Sequence, residues 1–123
     1  MVKAGILGAS GYTGAELLRL LAAHPDVEVV AASRQKGGEK LVELFPSMRS
    51  YWGNIELMGH EPAKMASMCE VVFCCMPHKA SMGAVPLLLE GGAKVVDLSA
   101  DFRFGDASVY EKWYGEHTAP DLL

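Results

Sequence analysis

Apolar residues along this chain occur either in short continuous runs or at helical spacing, and the two patterns alternate. The runs over Val2–Leu7 and Val27–Ala32 predict strands, and the leucines of residues 15–24 (AELLRLLAAH) lie on one face of a predicted helix between them. Continuous apolar runs, in contrast to alternating ones, are typical of strands covered on both faces. The beginning of the chain therefore predicts a strand–helix–strand unit inside a layered α/β fold.

The remainder of the chain continues this alternation. Pro86 lies inside an apolar helical stretch and is expected to kink or divide it. Asp106 is a predicted N-cap for the last helix, and Gly115 is expected to end that helix. The predicted strands are 54–58, 70–76 and 94–98, and the predicted helices are 39–45, 79–90 and Ala107–Tyr114.

Strands that alternate with helices predict a Rossmann-like, doubly wound and mostly parallel sheet with helices on both faces. A chain of 123 residues is long enough for one such core, so we expect residues 1–123 to form a single domain. Ligands of these sheets bind at the carboxyl ends of the strands. The segments that follow predicted strands, and should meet along one edge, are residues 8–14, 33–34, 77–78 and 99–101.

The segment between the first strand and the first helix, GASGYTG over residues 8–14, spaces its glycines as G-x-x-G-x-x-G. Such a turn can hold the pyrophosphate of a dinucleotide, because backbone N–H groups and a helix N-terminus face the phosphates. Glycines also accumulate in tight turns for backbone reasons alone, so a turn without a ligand is the alternative. The predicted roles are a tight turn and close phosphate approach at Gly8 and Gly11, helix packing at Gly14, and hydrogen-bond donation by Ser10, Tyr12 and Thr13.

The end of the second strand favours NADP over NAD. A site that prefers NAD usually carries an Asp or Glu about twenty residues after the glycines, which binds the ribose 2′-hydroxyl. Here that place holds Ser33 and Arg34, with Lys36 nearby. A guanidinium binds a 2′-phosphate through paired N–H donors. A solvated loop charge is the alternative for Arg34.

Two further segments follow predicted strands. Pro77 and His78 either form a turn against the nicotinamide side of a cofactor or simply begin a helix. The spacing of Arg103 favours an ion pair with Asp101 over a bound anion. Packing in the core or at an interface, rather than ligand stacking, is the expected role of Tyr110, Trp113 and Tyr114.

Composition and charge exclude several function classes. The net charge is −4 and no Lys/Arg cluster occurs, so no nucleic-acid partner is expected. No apolar run approaches the length of a membrane span, and Met1 leads directly into a strand without the pattern of a signal peptide. We therefore expect no membrane partner and a cytoplasmic location.

The cysteines and histidines do not form a recognisable reactive or metal-binding motif. Cys69, Cys74 and Cys75 are interpreted as small buried hydrophobes, because none lies in a motif that activates a thiolate. The four histidines are scattered without the spacing of metal ligands. We expect no metal site.

Three motifs are more specific than a fold class: GASGYTGAEL over 8–17, MPH over 76–78 and DLSADFR over 97–103. Together with residues 110–117 (YEKWYGEH), they resemble the N-acetyl-gamma-glutamyl-phosphate reductase family of arginine biosynthesis. The resemblance covers essentially the whole chain. The DLSADFR motif is its most specific part, whereas the glycine turn is shared with saccharopine dehydrogenases and other NADP proteins.

The resemblance implies NADPH-dependent reduction of an acyl phosphate to an aldehyde, with release of phosphate, by way of a thioester on a cysteine. By position it implies that residues 8–14 hold the pyrophosphate and that Ser33 and Arg34 hold the 2′-phosphate. It likewise places Pro77 and His78 in the cofactor pocket and Arg103 on the phosphate of a small-molecule acyl-phosphate substrate. For the full-length protein it implies a homo-oligomer.

The sequence departs from this family in one respect. The family's nucleophilic cysteine lies in a P-G-C-[YF]-P-T motif, which does not occur here, and the substrate and dimerisation domain and the acid/base histidine are absent too. We therefore expect no catalytic residue in this chain and no turnover by it alone. Two alternatives are a related reductase of lysine biosynthesis through an amino-group carrier protein and a non-catalytic NADP-binding module.

Overall fold

A computed structural model describes residues 1–46 and 55–123 of the chain. In these residues short strands alternate with helices, and a single 3-10 turn, Pro120–Leu122, follows the last helix. The strands are β1 (Val2–Leu7), β2 (Val27–Ala32), β3 (Val71–Cys74) and β4 (Lys94–Asp97), and the helices are α1 (Tyr12–Ala22), α2 (Leu41–Leu44), α3 (Pro62–Met68), α4 (Ser81–Glu90) and α5 (Ala107–Tyr114).

The four strands form one sheet in the order β2-β1-β3-β4. Every pair of neighbouring strands is parallel. Val2 of β1 lies opposite Val27 of β2, and Val72 of β3 lies opposite Val95 of β4. The chain runs outwards from β1 to β2 and then crosses back past β1 to β3 and β4. The prediction of a doubly wound parallel sheet is confirmed, and the order reverses between β1 and β3, where ligands of such sheets bind.

Helices cover both faces of the sheet, as predicted. Adjacent residues of a strand point to opposite faces, and β1 divides accordingly: Leu7 packs with α3 and α4, whereas Ile6 packs with α1 and α2. On the first face the core includes Met65 and Leu88, and on the second it includes Leu18. The interpretation of Cys69 and Cys74 as buried hydrophobes is confirmed, because both are buried, free thiols.

Two predictions about helices need correction. Of the two outcomes expected at Pro86, a kink or a division, the division does not occur, since α4 is one helix from Ser81 to Glu90. The buried Val85 and Leu88 hold this helix against the sheet. The first helix was expected to begin at Ala15 but begins at Tyr12, because Gly11 is its N-cap. Helix α3 is absent from the predictions, although a proline at its first position is a recognised start signal.

The predicted strand over 54–58 is wrong for the part that the structure describes, residues 55–58. Glu56 forms an isolated antiparallel bridge with Lys40, and Met58 forms an isolated parallel bridge with Ser33. Because Glu56 and Met58 pair with two different segments of the chain, no continuous ladder of hydrogen bonds forms. Asn54 and part of the irregular stretch 35–53 lie outside the described residues.

Candidate functional site

The segments predicted to meet do follow the carboxyl ends of neighbouring strands. The glycine turn follows β1, Ser33 and Arg34 follow β2, Pro77 and His78 follow β3, and Arg103 lies in the loop after β4. Because the strands are parallel, all four segments lie at the same edge of the sheet. This arrangement places them in the order β2, β1, β3, β4 along one rim.

The three glycines of the turn have different structural requirements. Gly8 has φ +92°, and a Cβ there would lie 2.8 Å from Met76 Cγ and 3.1 Å from the Cys75 carbonyl oxygen. A Cβ on Gly14 would lie 2.5 Å from the Ala9 carbonyl oxygen, so Gly14 lets α1 pack closely on the turn itself. A Cβ on Gly11 would meet nothing within 4 Å, and its φ is −89°. The fold therefore needs glycine at 8 and 14, but not at 11.

The N-terminus of α1 is open to a ligand. Gly11 is its N-cap and supplies no side-chain cap, and the first turn of the helix carries no acidic residue. The first N–H groups of a helix lack partners within the helix and carry partial positive charge, which favours an anion. Around this helix end the exposed side chains are those of Ser10, Tyr12 and Thr13.

Ser33 fixes the glycine turn to the end of β2. It is fully buried, and its Oγ accepts a hydrogen bond from the Gly8 N–H at 3.1 Å. Its carbonyl oxygen accepts the Ala9 N–H at 2.7 Å. The Ser33 hydroxyl, which the resemblance assigns to the 2′-phosphate, is thus buried and bonded to the glycine turn in this structure.

His60 completes this support and was missed by sequence reasoning. Its Nδ1 lies 2.9 Å from Ser33 Oγ, and partial burial lowers the pKa of the ring, which favours the neutral form. Ser33 Oγ thus links the Gly8 N–H to the His60 ring. No motif pointed to His60, because its partner lies 27 residues away in sequence.

Arg34 is ion-paired within the described chain, rather than a solvated loop charge. Its Nη1 lies 3.0 Å from Glu39 Oε2. The backbone N–H of Arg34 donates to the Met58 carbonyl oxygen. Gly38, with φ +105°, turns the loop so that Glu39 comes back beside Arg34. A 2′-phosphate at this place would compete with Glu39 for the guanidinium.

Pro77 and His78 begin a four-residue turn that precedes α4. Pro77 O accepts the Ala80 N–H at 3.2 Å, and Lys79 has φ +74°. The alternative in which Pro77 simply begins the helix is wrong, since α4 begins at Ser81. The His78 side chain is exposed, and its ring centroid lies 5.0 Å from that of Tyr114.

Arg103 does not form the ion pair with Asp101 that its spacing favoured. Its Nε donates to the Ser99 carbonyl oxygen at 2.9 Å and its Nη2 to the Leu98 carbonyl oxygen at 3.1 Å. Asp101 is fully buried, and its carboxylate accepts from Lys79 and Met82 N–H groups and from the Tyr110 hydroxyl. The guanidinium is therefore anchored on the carboxyl end of β4, at the exposed side of the rim.

The DLSAD part of the third motif forms a chain of local hydrogen bonds. Asp97 accepts both the N–H and the hydroxyl of Ser99, and Ser99 Oγ accepts the Asp101 N–H. These bonds aim the Asp101 carboxylate at the turn that precedes α4. Sequence reasoning considered Asp101 only as a partner of Arg103, because its backbone partners lie about twenty residues away in sequence.

The aromatic residues of α5 divide into buried and exposed members. Tyr110 is fully buried and stacks on Tyr114 at 5.1 Å between centroids, so packing is confirmed for this pair. Trp113 is 70% exposed in the described residues, with Lys112 Nζ 5.6 Å above its ring. Packing in the core of the described residues is thus wrong for Trp113, and packing at an interface stays a prediction.

The thiols are held in the protonated form. Burial raises the pKa of Cys69 to about 11, that of Cys74 to about 12 and that of Cys75 to about 11, and the Asp97 charge adds to the last two. A nucleophilic cysteine has a lowered pKa. None of the three thiols is therefore activated.

Residues 1–46 and 55–123 contain neither a metal-binding cluster nor a membrane-spanning helix. No group of three or more His, Cys, Asp or Glu side chains there could hold a metal ion. The helices of the same residues are all too short or too polar to cross a bilayer.

Comparison with known proteins gives consistent matches. The family model "Semialdehyde dehydrogenase, NAD binding domain" matches residues 3–117. N-acetyl-gamma-glutamyl-phosphate reductase from Methanopyrus kandleri is 54% identical over 99% of this chain and 36% of its own length. The same enzyme from Cellvibrio japonicus is 50% identical over 100% of this chain and 35% of its own length. The chain thus spans about a third of the length of these curated relatives.

Among solved structures, aspartate semialdehyde dehydrogenase with NADP from Candida albicans superposes with a TM-score of 0.72 at 25% identity. That match covers 87% of this chain and 32% of the other.

Proposed function

The chain belongs to the semialdehyde dehydrogenase NAD-binding-domain family, and on this premise we propose that residues 1–123 form the NADP-binding domain of an acyl-phosphate reductase. The reaction is the reduction of N-acetyl-gamma-glutamyl phosphate to N-acetylglutamate semialdehyde and phosphate, in arginine biosynthesis. The names of the relatives that match the whole chain support this substrate. In the full-length protein, a homo-oligomer, the substrate domain and the catalytic cysteine and histidine lie outside these residues.

The observation that carries the proposal is the glycine at 11. Its backbone is in an ordinary conformation and a side chain there would meet no protein atom, so neither backbone strain nor crowding requires glycine. The position caps an eleven-residue helix whose first turn offers N–H groups to solvent. A pyrophosphate bound against this helix end gives the missing reason, because a side chain at 11 would occupy its place.

The same geometry supports specific roles for the residues of the turn. Gly8 forms the sharp bend, Gly14 brings α1 onto the turn, and Ser10, Tyr12 and Thr13 surround the phosphate site at the helix end. Ser33 holds the turn through Gly8, while Arg34 binds the 2′-phosphate and exchanges its partner Glu39 for it. A guanidinium within reach of the ribose is the feature that favours NADP.

The nicotinamide end of the cofactor would lie towards β3 and β4. Pro77 and His78 border it at the end of β3, and Arg103 at the end of β4 binds the phosphate of the substrate. When bound, the cofactor supplies the hydride that reduces the acyl group. The protonated thiols of this chain cannot serve as the nucleophile, so the chain alone binds cofactor without turnover.

The test is a titration of the purified chain with NADPH and with NADH, followed by nicotinamide fluorescence, and with adenosine 2′,5′-bisphosphate by calorimetry. We expect saturable binding of NADPH and of the bisphosphate, and NADH binding at least about tenfold weaker. Equal affinity for NADPH and NADH would remove the assignment to NADP. No binding of any of the three would remove the proposed function.

A further inference from the structure

The turn before α4 contains a residue in an unfavourable backbone conformation. Its hydrogen bond from Ala80 N–H to Pro77 O and the φ of +74° at Lys79 define a type II turn, in which the third position normally holds glycine. Lys79 is the one non-glycine residue with positive φ in residues 1–46 and 55–123. A side chain crowds the backbone at such an angle, so surrounding contacts must hold the turn in this shape.

A buried carboxylate supplies those contacts. Asp101 Oδ1 accepts the N–H of Lys79 itself at 2.7 Å, and Oδ2 accepts the N–H of Met82 at 2.7 Å. Asp101 is fully buried, and hydrogen bonds to a charged acceptor are about twice as strong as neutral ones. The carboxylate thus ties the strained residue to the beginning of α4.

Asp101 is in turn fixed by α5. The Tyr110 hydroxyl donates to Oδ1 at 2.7 Å, and Tyr110 stacks on Tyr114, whose ring contacts that of His78. Helix α5 therefore reaches the turn by two routes, through the carboxylate and through the His78 ring. This arrangement fixes both the backbone of the turn and the side chain at its second position.

The position of the turn along the rim suggests which part of a ligand it meets. Arg34 follows β2, the glycine turn follows β1, and residues 77–80 follow β3, so they succeed one another across the sheet. The segment that leads into residues 77–80 is in contact with the glycine turn, since Met76 and Cys75 limit the space at Gly8. A dinucleotide with its 2′-phosphate at Arg34 and its pyrophosphate at the glycine turn therefore extends its other half towards residues 77–80.

We propose that Asp101 is a positioning residue that holds residues 77–80 in the shape required by the nicotinamide half of the cofactor. The inference rests on the proposed function, because it takes the ligand to be a dinucleotide. Asp101 is fully buried and acts through the backbone N–H of Lys79. Its removal should weaken binding of the nicotinamide half and leave the adenosine half unaffected.

The first experiment compares NADPH with adenosine 2′,5′-bisphosphate, which lacks the nicotinamide half, in Asp101→Asn. Asparagine offers one acceptor oxygen where aspartate offers two, so its NH2 group faces one of the two backbone N–H groups and that bond is lost. We expect NADPH affinity to fall about tenfold and bisphosphate affinity to stay within about twofold, since one buried charge-assisted bond is removed. An equal loss for both ligands, or unchanged NADPH affinity, would overturn the proposal.

The second experiment substitutes Lys79, an exposed residue of the turn, and does not depend on whether Asp101→Asn is stable. In Lys79→Val a β-branched residue opposes positive φ, whereas in Lys79→Gly the turn keeps its shape without strain, and both variants lose the amine. We expect NADPH to bind at least about tenfold more tightly to Lys79→Gly than to Lys79→Val. The two variants should bind adenosine 2′,5′-bisphosphate with equal affinity.

A combined variant tests the causal link between Asp101 and the turn. Lys79→Gly added to Asp101→Asn should restore most of the NADPH affinity, because glycine adopts the turn without the carboxylate. Equal NADPH affinity in the two Lys79 variants, or no recovery in a folded double variant, would show that the turn shape does not matter. If the unmodified chain binds neither NADPH nor the bisphosphate, that result contradicts the proposed function instead.

Discussion

Arg34 Nη1 and Glu39 Oε2 lie 3.0 Å apart, so the cation assigned to the 2′-phosphate already has a carboxylate partner. The Arg34 side chain is 28% exposed and that of Glu39 is 51% exposed, which makes the pair accessible to a competing anion. Exposed ion pairs contribute little to stability, so exchange for a doubly charged phosphate is favourable. Under the proposed function, Glu39 therefore competes with the 2′-phosphate for Arg34.

Removal of the guanidinium should act on one cofactor only. In Arg34→Ala we expect NADP affinity to fall about 10- to 100-fold, since charge-assisted bonds to phosphate are lost, and NAD affinity to change less than about threefold. The control is Lys94→Ala, an exposed cation at the amino end of β4, on the side of the sheet opposite to the proposed site. Calorimetric titration of both cofactors measures the effect; parallel losses for NADP and NAD would contradict the role of Arg34.

Removal of the competing carboxylate should have the opposite effect. Glu39→Gln leaves a side chain of the same shape without the charge that pairs with Arg34 and repels phosphate. We expect NADP to bind about three- to tenfold more tightly, with the gain largest at low salt, because screening weakens the pair. The measurement is the NADP dissociation constant at two salt concentrations, and an unchanged or weaker affinity would show that Glu39 does not compete.

Gly14 should matter for stability rather than for the ligand directly. A methyl group on Gly14 would overlap the Ala9 backbone, with contacts of 2.5–2.7 Å that no flexible side chain can relieve. We expect Gly14→Ala to lower the free energy of unfolding by about 1–3 kcal/mol, as for other overpacked sites. Urea denaturation checks this against Gly83→Ala, where a Cβ meets nothing within 4 Å and helix propensity predicts a gain of about 0.5–1 kcal/mol.

The thiols should react slowly with alkylating agents. Burial favours the neutral thiol and raises the pKa of Cys75 to about 11, so the reactive thiolate is scarce at neutral pH. We expect iodoacetamide labelling of the folded chain to accelerate continuously as the pH rises towards that value. The control is the same chain in urea, where ordinary thiol behaviour should return; labelling at pH 7 as fast as in urea would contradict the assignment.

Most of the fold could be predicted because it depends on local patterns. The bounds of Val2–Leu7, Val27–Ala32 and Ala107–Tyr114 follow from apolar runs and from the Asp106 cap, and these elements agree with the structure. Residues 55–58 differ because they pair alternately with two distant segments, which no local pattern encodes. The failed prediction of an Arg103–Asp101 pair has the same origin. Asp101 instead accepts backbone N–H groups from the turn before α4 and from α4 itself, which are distant in sequence.

The central claim is that the space above Gly11 holds the pyrophosphate. Threonine is suited to test it, because it is β-branched, accepts the extended backbone of Gly11 and is itself a favourable N-cap. The control is Gly83→Thr, the same substitution at another position where a Cβ meets no atom, on the exposed face of α4.

The decisive measurement is a fluorescence titration of both threonine variants with NADPH, alongside their thermal unfolding. The account predicts that Gly11→Thr unfolds within a few degrees of the unmodified chain yet loses NADPH affinity by about 100-fold or more, whereas Gly83→Thr keeps it. A folded Gly11→Thr variant that binds NADPH as tightly as the unmodified chain would contradict the account.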